Sequence, residues 1–235
     1  MKVYVFSRNG LLVLLITVLS IALAGFFIGC GGGDDDDDDD AASDDDAVGD
    51  DDTTGPDGDC DGIIPTNTLL TNGGFERPDA ELSTILLEAG EEMDGWIVAE
   101  GNVETVSSNT GTKSAEGHQW LDVNGSMAGA IYQDVTTEPG AEYEVLFCVS
   151  GNPGGGSEGQ GPKVLQVLWD GEFVAEIEVD TTGREATKMD WEAEKYKIPA
   201  DLVTGETSRL ELRSLSDDQG AYGPAVDAVA LVPLP

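Results

Sequence analysis

The carboxy-terminal three quarters of the chain consist of short runs in which apolar and polar residues alternate. In residues 142–150 the apolar side chains share one face: Tyr143, Val145, Phe147 and Val149. In residues 208–214 two leucines alternate with charged residues: Arg209, Leu210, Glu211, Leu212 and Arg213. A period of two residues is typical of half-buried strands, so this part of the chain is predicted to be rich in β-structure.

Strands are predicted at residues 68–71, 96–99, 103–106, 119–123, 130–136, 142–150, 163–169, 172–179, 191–198, 208–214 and 225–232. Gly, Pro, Asn and Asp separate these runs and favour turns. Only residues 80–92 have apolar positions at helical spacing, which predicts a helical insertion there. Many short strands with almost no helix predict an all-β fold, an antiparallel β-sandwich.

One turn can be assigned from its residues. Asp170-Gly171 lies between two predicted strands, and this dipeptide favours a type I′ turn, in which both central residues have positive φ. The sequence therefore predicts a tight hairpin at this point.

The amino terminus has the features of an export signal. Lys2 and Arg8 precede an apolar run over residues 11–27, which ends in Phe27-Ile28-Gly29-Cys30. This ending resembles the lipobox of bacterial lipoproteins, although leucine is usual where Phe27 stands. We expect residues 1–29 to be a lipoprotein signal peptide and Cys30 to be lipidated; an uncleaved signal anchor is the alternative.

Charge separates the rest of the chain into two parts. Residues 31–62 contain 16 Asp and no Lys or Arg, whereas residues 63–235 carry 31 acidic and 9 basic residues, a net charge of −22. A segment so charged and so poor in apolar residues cannot bury a core, so residues 30–62 are predicted to be a lipidated Cys followed by a disordered stalk. Residues 63–235 are long enough for one β-sandwich domain. The acidity excludes a nucleic-acid binder.

Three cysteines cannot all pair within one chain. Lipidation of Cys30 leaves Cys60, in the polar stalk, and Cys148, in an apolar strand. Export would permit a disulfide, but no feature of the sequence brings the two together. We therefore expect a buried thiol at Cys148.

Several motifs occur in a specific order within the predicted domain. They are Leu69-Leu70-Thr71-Asn72-Gly73-Gly74-Phe75-Glu76, Gly95-Trp96, residues 117–125, Pro139-Gly140-Ala141-Glu142-Tyr143 and residues 222–231. Their order resembles the bacterial choice-of-anchor C domain, which is similar to a plant cell-wall family of unknown function numbered 642. More distantly it resembles family-four and related xylan- and glucan-binding modules. The resemblance implies a galactose-binding-like jelly roll displayed outside the cell.

The resemblance also implies a metal. In modules of this fold, a Glu after the first strand and an Asp in the last strand commonly meet around calcium, and Glu76 and Asp227 match those positions. Asp227 lies among apolar residues, where an unpaired carboxylate would be costly, and a hard cation would offset that cost. Alternatively, Asp227 faces solvent or accepts backbone N–H bonds from the first loop. We expect a structural calcium ion at Glu76 and Asp227.

Catalysis is not expected. His118 is the only histidine, and no Gly-x-Ser-x-Gly motif occurs, so a nucleophile with a histidine base would have to depend on that one residue. Paired carboxylates could hydrolyse a glycoside, but an acidic domain always offers such pairs. We expect the protein not to be an enzyme, and a hydrolase is the weakest of the functions considered.

Sugar binding requires an aromatic face bordered by amide or acid groups. Trp120 alternates with Leu121 and shares a face with Asp122 and Asn124, and Tyr222 is a further aromatic candidate. We predict that Trp120, Asp122, Asn124 and Tyr222 bind carbohydrate, although core packing of Trp120 is an open alternative.

The function that these features favour is noncatalytic binding of an extracellular or cell-wall polysaccharide by a lipid-anchored protein. The net charge of −22 favours a neutral ligand, although it is also compatible with adaptation to high salt. A structural or adhesive protein that binds another protein is the alternative. In some diderm bacteria an acidic residue after the lipidated cysteine retains a lipoprotein in the inner membrane. Gly31 stands at that position, so the outer membrane or cell surface is the expected location.

Overall fold

The alternating segments form strands in the computed structural model, which describes Cys60 and residues 65–216 and 220–235. These residues belong to one compact unit, Asp51–Pro235. The predictions for residues 1–59, including lipidation at Cys30, lie outside the described residues. No helix among the described residues is long and apolar enough to cross a membrane.

The described residues contain twelve strands. They are β1 (Thr84–Glu88), β2 (Glu92–Met93), β3 (Trp96–Glu100), β4 (Asn102–Ser107), β5 (Gln119–Asp122), β6 (Ala130–Thr136), β7 (Tyr143–Gly151), β8 (Pro162–Trp169), β9 (Glu172–Asp180), β10 (Glu192–Ile198), β11 (Thr207–Ser214) and β12 (Pro224–Pro233). Within residues 65–216 and 220–235, helical structure is limited to three short 3₁₀ turns, at Ser108–Thr110, Gly156–Gly159 and Ala200–Leu202.

The strands form two six-stranded antiparallel sheets. Sheet A has the order β1-β4-β5-β12-β7-β10, and sheet B has the order β2-β3-β6-β11-β8-β9. The core lies between the sheets and includes Phe147, Trp169 and Leu210. The predicted antiparallel β-sandwich is therefore confirmed, and so is the shared inward face of Tyr143, Val145, Phe147 and Val149.

The hairpin at Asp170-Gly171 is confirmed. Asp170 has φ 50° and Gly171 has φ 86°, the positive values that a type I′ turn requires. Trp169 pairs with Glu172 across the turn.

The predicted helix over residues 80–92 is wrong. These residues contain β1, which pairs with β4 at the edge of sheet A, and the start of β2. Leu87 is buried whereas Leu86 is exposed, as strand alternation requires. The apolar residues fitted both periods, and pairing with β4 decided between them.

The predicted strand over residues 68–71 is not regular. Leu69 N–H nevertheless donates to Leu231 O of β12 at 2.8 Å, and Val229 N–H donates to Gly73 O at 2.9 Å. β12 has a bulge between Asp227 and Ala230, next to these contacts, and Ala228 there has φ 51°. The amino-terminal segment of the domain is thus attached to the bulged part of β12.

The expected thiol at Cys148 is also wrong, because Cys148 forms a disulfide with Cys60. Their Cα atoms are 6.0 Å apart, and both residues are buried. Cys148 lies in β7, an interior strand of sheet A. The sequence could not show this pairing, because it joins two residues that are 88 positions apart and meet on the outer side of sheet A.

Candidate functional site

The outer faces of the two sheets differ in how far loops cover them. The covered face is the outer face of sheet A; it contains Trp120 and Cys148 and is covered by Cys60 and residues 111–116 and 181–191. The open face is the outer face of sheet B. The predicted carbohydrate-binding residues lie on or beside the covered face.

Trp120 is buried in the covered face and is only 1 % exposed. It belongs to a second hydrophobic cluster, separate from the main core: Cys60, Val106, Ala115, Trp120, Cys148, Met189, Trp191, Ala225 and Ala228. Its ring meets Trp191 edge to face, with centroids 6.2 Å apart, and its Nε1 donates to Thr112 Oγ1 at 3.2 Å. Trp120 does point away from the main core, but the covering loops leave no ring face for a ligand, which corrects that part of the prediction.

Asp122 holds together three chain segments at one end of the covered face. Oδ1 accepts the N–H groups of Asn124 (2.8 Å) and Gly223 (3.1 Å), and Oδ2 accepts Asn152 Nδ2 at 2.6 Å. Burial raises the pKa of Asp122 to about 7, although these three hydrogen bonds act to lower it. Asp122 is fully buried, so it positions the loops rather than contacting a ligand.

Asn124 has a similar supporting role. Its Nδ2 donates to Ser216 O and Gly220 O, both at 3.0 Å, which attaches the segment before β12. Its Oδ1 is buried and has no hydrogen-bond partner in the described part of the chain. A Cβ at position 223 would lie 2.4 Å from this oxygen, so Gly223 is required for the close approach.

Tyr222 is partly exposed. Its ring lies against the glycine-rich loop after β7, because a Cβ on Gly155 would be only 2.2 Å from Tyr222 Cζ. The structure therefore brings the segment Tyr222-Gly223 together with Asp122 and Asn124. Of the four predicted carbohydrate-binding residues, Tyr222 alone has appreciable exposed surface.

Glu76 and Asp227 both bind the backbone of the segment that leads into β5. Asp227 Oδ2 accepts the N–H groups of Ala115 (2.8 Å) and Glu116 (2.9 Å), and Oδ1 accepts that of Ala228 (2.7 Å). Glu76 Oε1 accepts the N–H groups of residues 118 (2.7 Å) and 119 (3.0 Å). Asp227 thus accepts backbone N–H groups, but its donors are Ala115, Glu116 and Ala228 and not residues of the first loop, which the alternative expectation named.

Metal binding at Glu76 and Asp227 stays a prediction. Among the described residues no group of three or more His, Cys, Asp or Glu side chains is placed to hold a metal ion. Burial raises the pKa of Asp227 well above its usual value, and the charge of Glu116 raises it further. As placed, the two carboxylates accept backbone N–H groups.

The open face presents a tyrosine with an arginine on its ring. Arg209 Cζ lies 3.5 Å from the centroid of the Tyr132 ring. The guanidinium also makes a bidentate ion pair with Asp134, at 2.7 Å from Nε and 2.9 Å from Nη2. Arg209 and Asp134 are direct cross-strand partners, so the sheet register brings these groups together.

A second set of charged side chains lies further along β11. Arg213 Nη2 is 2.7 Å from Glu211 Oε1, and Arg213 Nε is 3.2 Å from Glu100 Oε1. Both arginines of the open face are therefore paired with carboxylates. The face offers many hydrogen-bonding groups without an excess of positive charge.

Phe173 is a large apolar side chain exposed on the same face. Val167 pairs with Ala175 but Leu168 pairs with Phe173, so a bulge at residue 174 turns Phe173 outward. Phe173 is 60 % exposed. The register Tyr132, Glu211, Leu168, Phe173 crosses three strand spacings, which places the two aromatic residues roughly 14 Å apart.

An open depression of 450 Å³ lies beside Arg209, next to the hairpin at Asp170 and Gly171. Asp134, Ser208 and Glu211 are among its lining residues.

Sequence reasoning did not identify the open face as a site. The alternation of Arg209, Glu211 and Arg213 served only to predict a strand, although a tyrosine at an outward position of β6 could have drawn attention to it. The bulge that exposes Phe173 leaves no signal in the sequence, because residues 173, 175 and 177 read as one inward face.

A family model described as "Protein of unknown function (DUF642)" matches residues 68–232. No curated protein matches the chain.

Three solved structures are among those similar to this chain. TmCBM61, in complex with β-1,4-galactotriose, is 18 % identical, with a TM-score of 0.43 over 72 % of this chain and 100 % of its own. A Stig cyclase, Fisc, from Fischerella sp. TAU is 17 % identical, with a TM-score of 0.49 over 72 % of this chain and 97 % of its own. A family 35 carbohydrate binding module from Clostridium thermocellum is 13 % identical, with a TM-score of 0.37 over 63 % of this chain and 90 % of its own.

Proposed function

Because the chain belongs to the DUF642 family, whose description assigns no function, we propose a function from the surfaces of this protein: noncatalytic binding of carbohydrate at the open face. The observation that carries the proposal is the row from Tyr132 to Phe173, in which aromatic side chains flank Glu211 and the charged groups beside it.

The chemistry of this row suits a sugar chain. A pyranose ring has an apolar face of C–H groups bordered by hydroxyls, so it packs on an aromatic ring while its hydroxyls take hydrogen bonds. Phe173 provides exposed apolar surface, and Arg209 with Asp134 provides donors and acceptors held in place by their own ion pair. Since the strands of a sheet hold these groups, little conformational entropy is lost when a ligand binds.

Charge favours a neutral polysaccharide as the ligand of this face. Arg209 and Arg213 are already paired with carboxylates, and residues 63–235 carry a net charge of −22. A polyanion approaching the open face would therefore be repelled, and its charge would not be compensated there.

Display outside the cell is part of the proposal and is supported by the sequence alone. The leader over residues 1–29, lipidation at Cys30 and the acidic stalk would anchor the domain to the cell envelope and hold it away from the membrane. An extracellular or cell-wall polysaccharide is then the accessible ligand, and the outer membrane or cell surface is the proposed location.

The test is retention of the full chain, purified in detergent, on immobilised neutral polysaccharides, with β-1,4-galactan, xylan and cellulose as the first panel. Binding to at least one polymer is expected, and Phe173→Ala should weaken it about tenfold, as expected for loss of an aromatic contact to a ligand. Leu82→Ala is the matched control, since Leu82 is an exposed apolar residue outside the open face.

Two results would count against the proposal. Failure of the intact chain to bind any neutral polysaccharide in the panel would remove carbohydrate as the ligand and favour the alternative, a structural or adhesive protein. Equal weakening by Phe173→Ala and Leu82→Ala would remove the open face as the site.

A further inference from the structure

A second groove lies on the other side of the sandwich, within the loops that cover sheet A. Residues 111–114 form one wall and residues 185–190 the other; the groove has a volume of 240 Å³. The walls are close, because a Cβ on Gly111 would be 3.7 Å from Thr187 Cγ2. The buried side chains of Met189 and Trp191 form its base.

The groove is rich in cations although the domain is strongly acidic. Of the nine basic residues among residues 63–235, Lys113 and Lys188 line the groove and Arg184 lies directly behind it. Two carboxylates share this space with the cations. Asp190 pairs with Lys188 and Arg184, since Lys188 Nζ is 3.0 Å from its Oδ1 and Arg184 Nε is 3.6 Å from its Oδ2. Glu185 also lines the groove, so the three basic groups exceed the carboxylates by one charge. Lys113, on the opposite wall, is exposed and makes no ion pair with a described residue.

The wall that carries Lys113 is held in place by two tryptophans. Trp191 Nε1 donates to Lys113 O at 2.8 Å, and Trp120 Nε1 donates to Thr112 Oγ1 at 3.2 Å. Both tryptophans are buried in the second hydrophobic cluster. The position of the Lys113 backbone is therefore fixed before any ligand arrives, which reduces the entropy lost on binding.

We propose that this groove binds one sugar unit that carries a carboxylate. The ammonium groups of Lys113 and Lys188 are compact charges suited to such an anion, and a partly enclosed groove strengthens their field relative to an exposed surface. Thr187 and Glu185 border the same space and can hydrogen-bond sugar hydroxyls. A volume of 240 Å³ is below the range of sites for drug-sized ligands, so the groove accommodates a single ring.

This site is distinct from the open face in both position and charge. The open face lies on sheet B and has its arginines paired with carboxylates, whereas the groove lies over sheet A and retains an exposed lysine. The two sites therefore select ligands of different charge. If the proposal for one site is disproved, the proposal for the other site still stands.

The experiment is a saturation-transfer NMR titration of the full chain, in detergent at low ionic strength, with D-glucuronate and, separately, with D-glucose. Saturable binding is expected for glucuronate and not for glucose. Lys113→Gln should weaken glucuronate binding by roughly fivefold, the upper range for one exposed charge pair. Lys195→Gln, at an exposed lysine on β10, is the matched control and should have no effect.

Two further measurements sharpen the test. Raising the salt concentration to 0.5 M should weaken the interaction, since screening acts on exposed charges. Sodium acetate should compete less well than glucuronate, because it lacks the ring hydroxyls.

The proposal fails if glucuronate shows no saturable binding, if glucose binds equally well, or if Lys195→Gln weakens binding as much as Lys113→Gln. Competition by acetate equal to that by glucuronate would also overturn it, because the groove would then be a simple anion site. Polysaccharide retention on the open face is unaffected by Lys113→Gln in every case, which separates this test from that of the proposed function.

Discussion

The outer faces of the two sheets are built from the same kind of alternating strand, but one is buried by loops and the other is exposed to solvent. On the covered face, Trp120 and Asp122 are buried beneath loops, and Cys60 packs in the same cluster as Trp120. On the open face, Tyr132, Arg209 and Phe173 remain accessible. Alternation determines which side of a sheet a residue occupies, but distant parts of the chain determine whether that side meets solvent.

The difference also changes what an aromatic residue does. Trp120 on the covered face stabilises a second hydrophobic cluster, whereas Phe173 on the open face exposes more than half of its surface at a cost in solvation. Phe173 therefore remains available to a ligand, whereas Trp120, although it lies in a sequence motif, does not.

The largest expected effect on the free energy of unfolding comes from removing the aromatic side chain of the covered face, and removing that of the open face is the comparison. Trp120→Ala should lower the free energy of unfolding by about 3–5 kcal/mol, because it leaves a cavity against Trp191. Phe173→Ala should lower it by less than about 0.5 kcal/mol, because the side chain is mostly exposed. Chemical denaturation of both variants checks this, and similar losses would contradict the contrast between the faces.

Removing the disulfide should be the next largest effect. Reduction of Cys60–Cys148 should lower the free energy of unfolding by about 2–4 kcal/mol, since the unfolded chain regains the freedom of an 88-residue loop. Thermal unfolding with and without dithiothreitol measures the change. Cys60→Ser is the control, because its melting temperature should not respond to the reductant; a wild-type protein equally insensitive to it would refute the pairing.

Asp122 should make stability depend on pH. Its pKa in the folded protein is about 7 and its ordinary value is 3.8, so the folded state binds the proton more tightly than the unfolded state. The stabilisation from this group is therefore complete below pH about 4 and is lost as the pH rises through 7.

The measurement is the melting temperature between pH 4 and pH 8 for the wild type and Asp122→Asn. The wild type should lose stability across this range more steeply than the variant. Asp122→Asn should be less stable at every pH, since its amide faces the Asn152 amide, yet it should have the smaller slope. Glu172→Gln, at an exposed carboxylate on β9, should keep the wild-type slope, and a steeper slope in Asp122→Asn would exclude Asp122 as the cause.

The smallest expected effect concerns calcium. The sequence-derived proposal of a structural ion predicts a melting temperature a few degrees higher in calcium than in chelator, and no difference for Asp227→Asn. A wild-type melting temperature that is the same in calcium and in chelator would leave the acceptance of backbone N–H bonds as the role of Glu76 and Asp227.

Strand positions were predictable because their signal is local. Residues 130–136 match β6, and the ranges for β7, β8 and β11 differ from the structure by one residue at one or both ends. Residues 80–92 failed because a short amphipathic segment fits both helix and strand, and only pairing with β4 resolves it.

The candidate site was less predictable than the fold. The grouping of Tyr222 with Asp122 and Asn124 followed from residue type and motif order, and the structure does bring these residues together. The burial of Asp122 and Asn124 could not be foreseen, since it depends on the loop that begins at Asn152 and on the approach of Gly223.

The sequence by itself determined the strand alternation, the tight turn at Asp170-Gly171 and hence the antiparallel sandwich, because these follow from side-chain period and backbone preference. Only the tertiary structure decided that Cys60 reaches Cys148, that Trp120 is covered and that Phe173 is exposed. Each of these depends on the meeting of residues distant along the chain or on a one-residue change of register. No local sequence pattern encodes a long-range contact or a change of register.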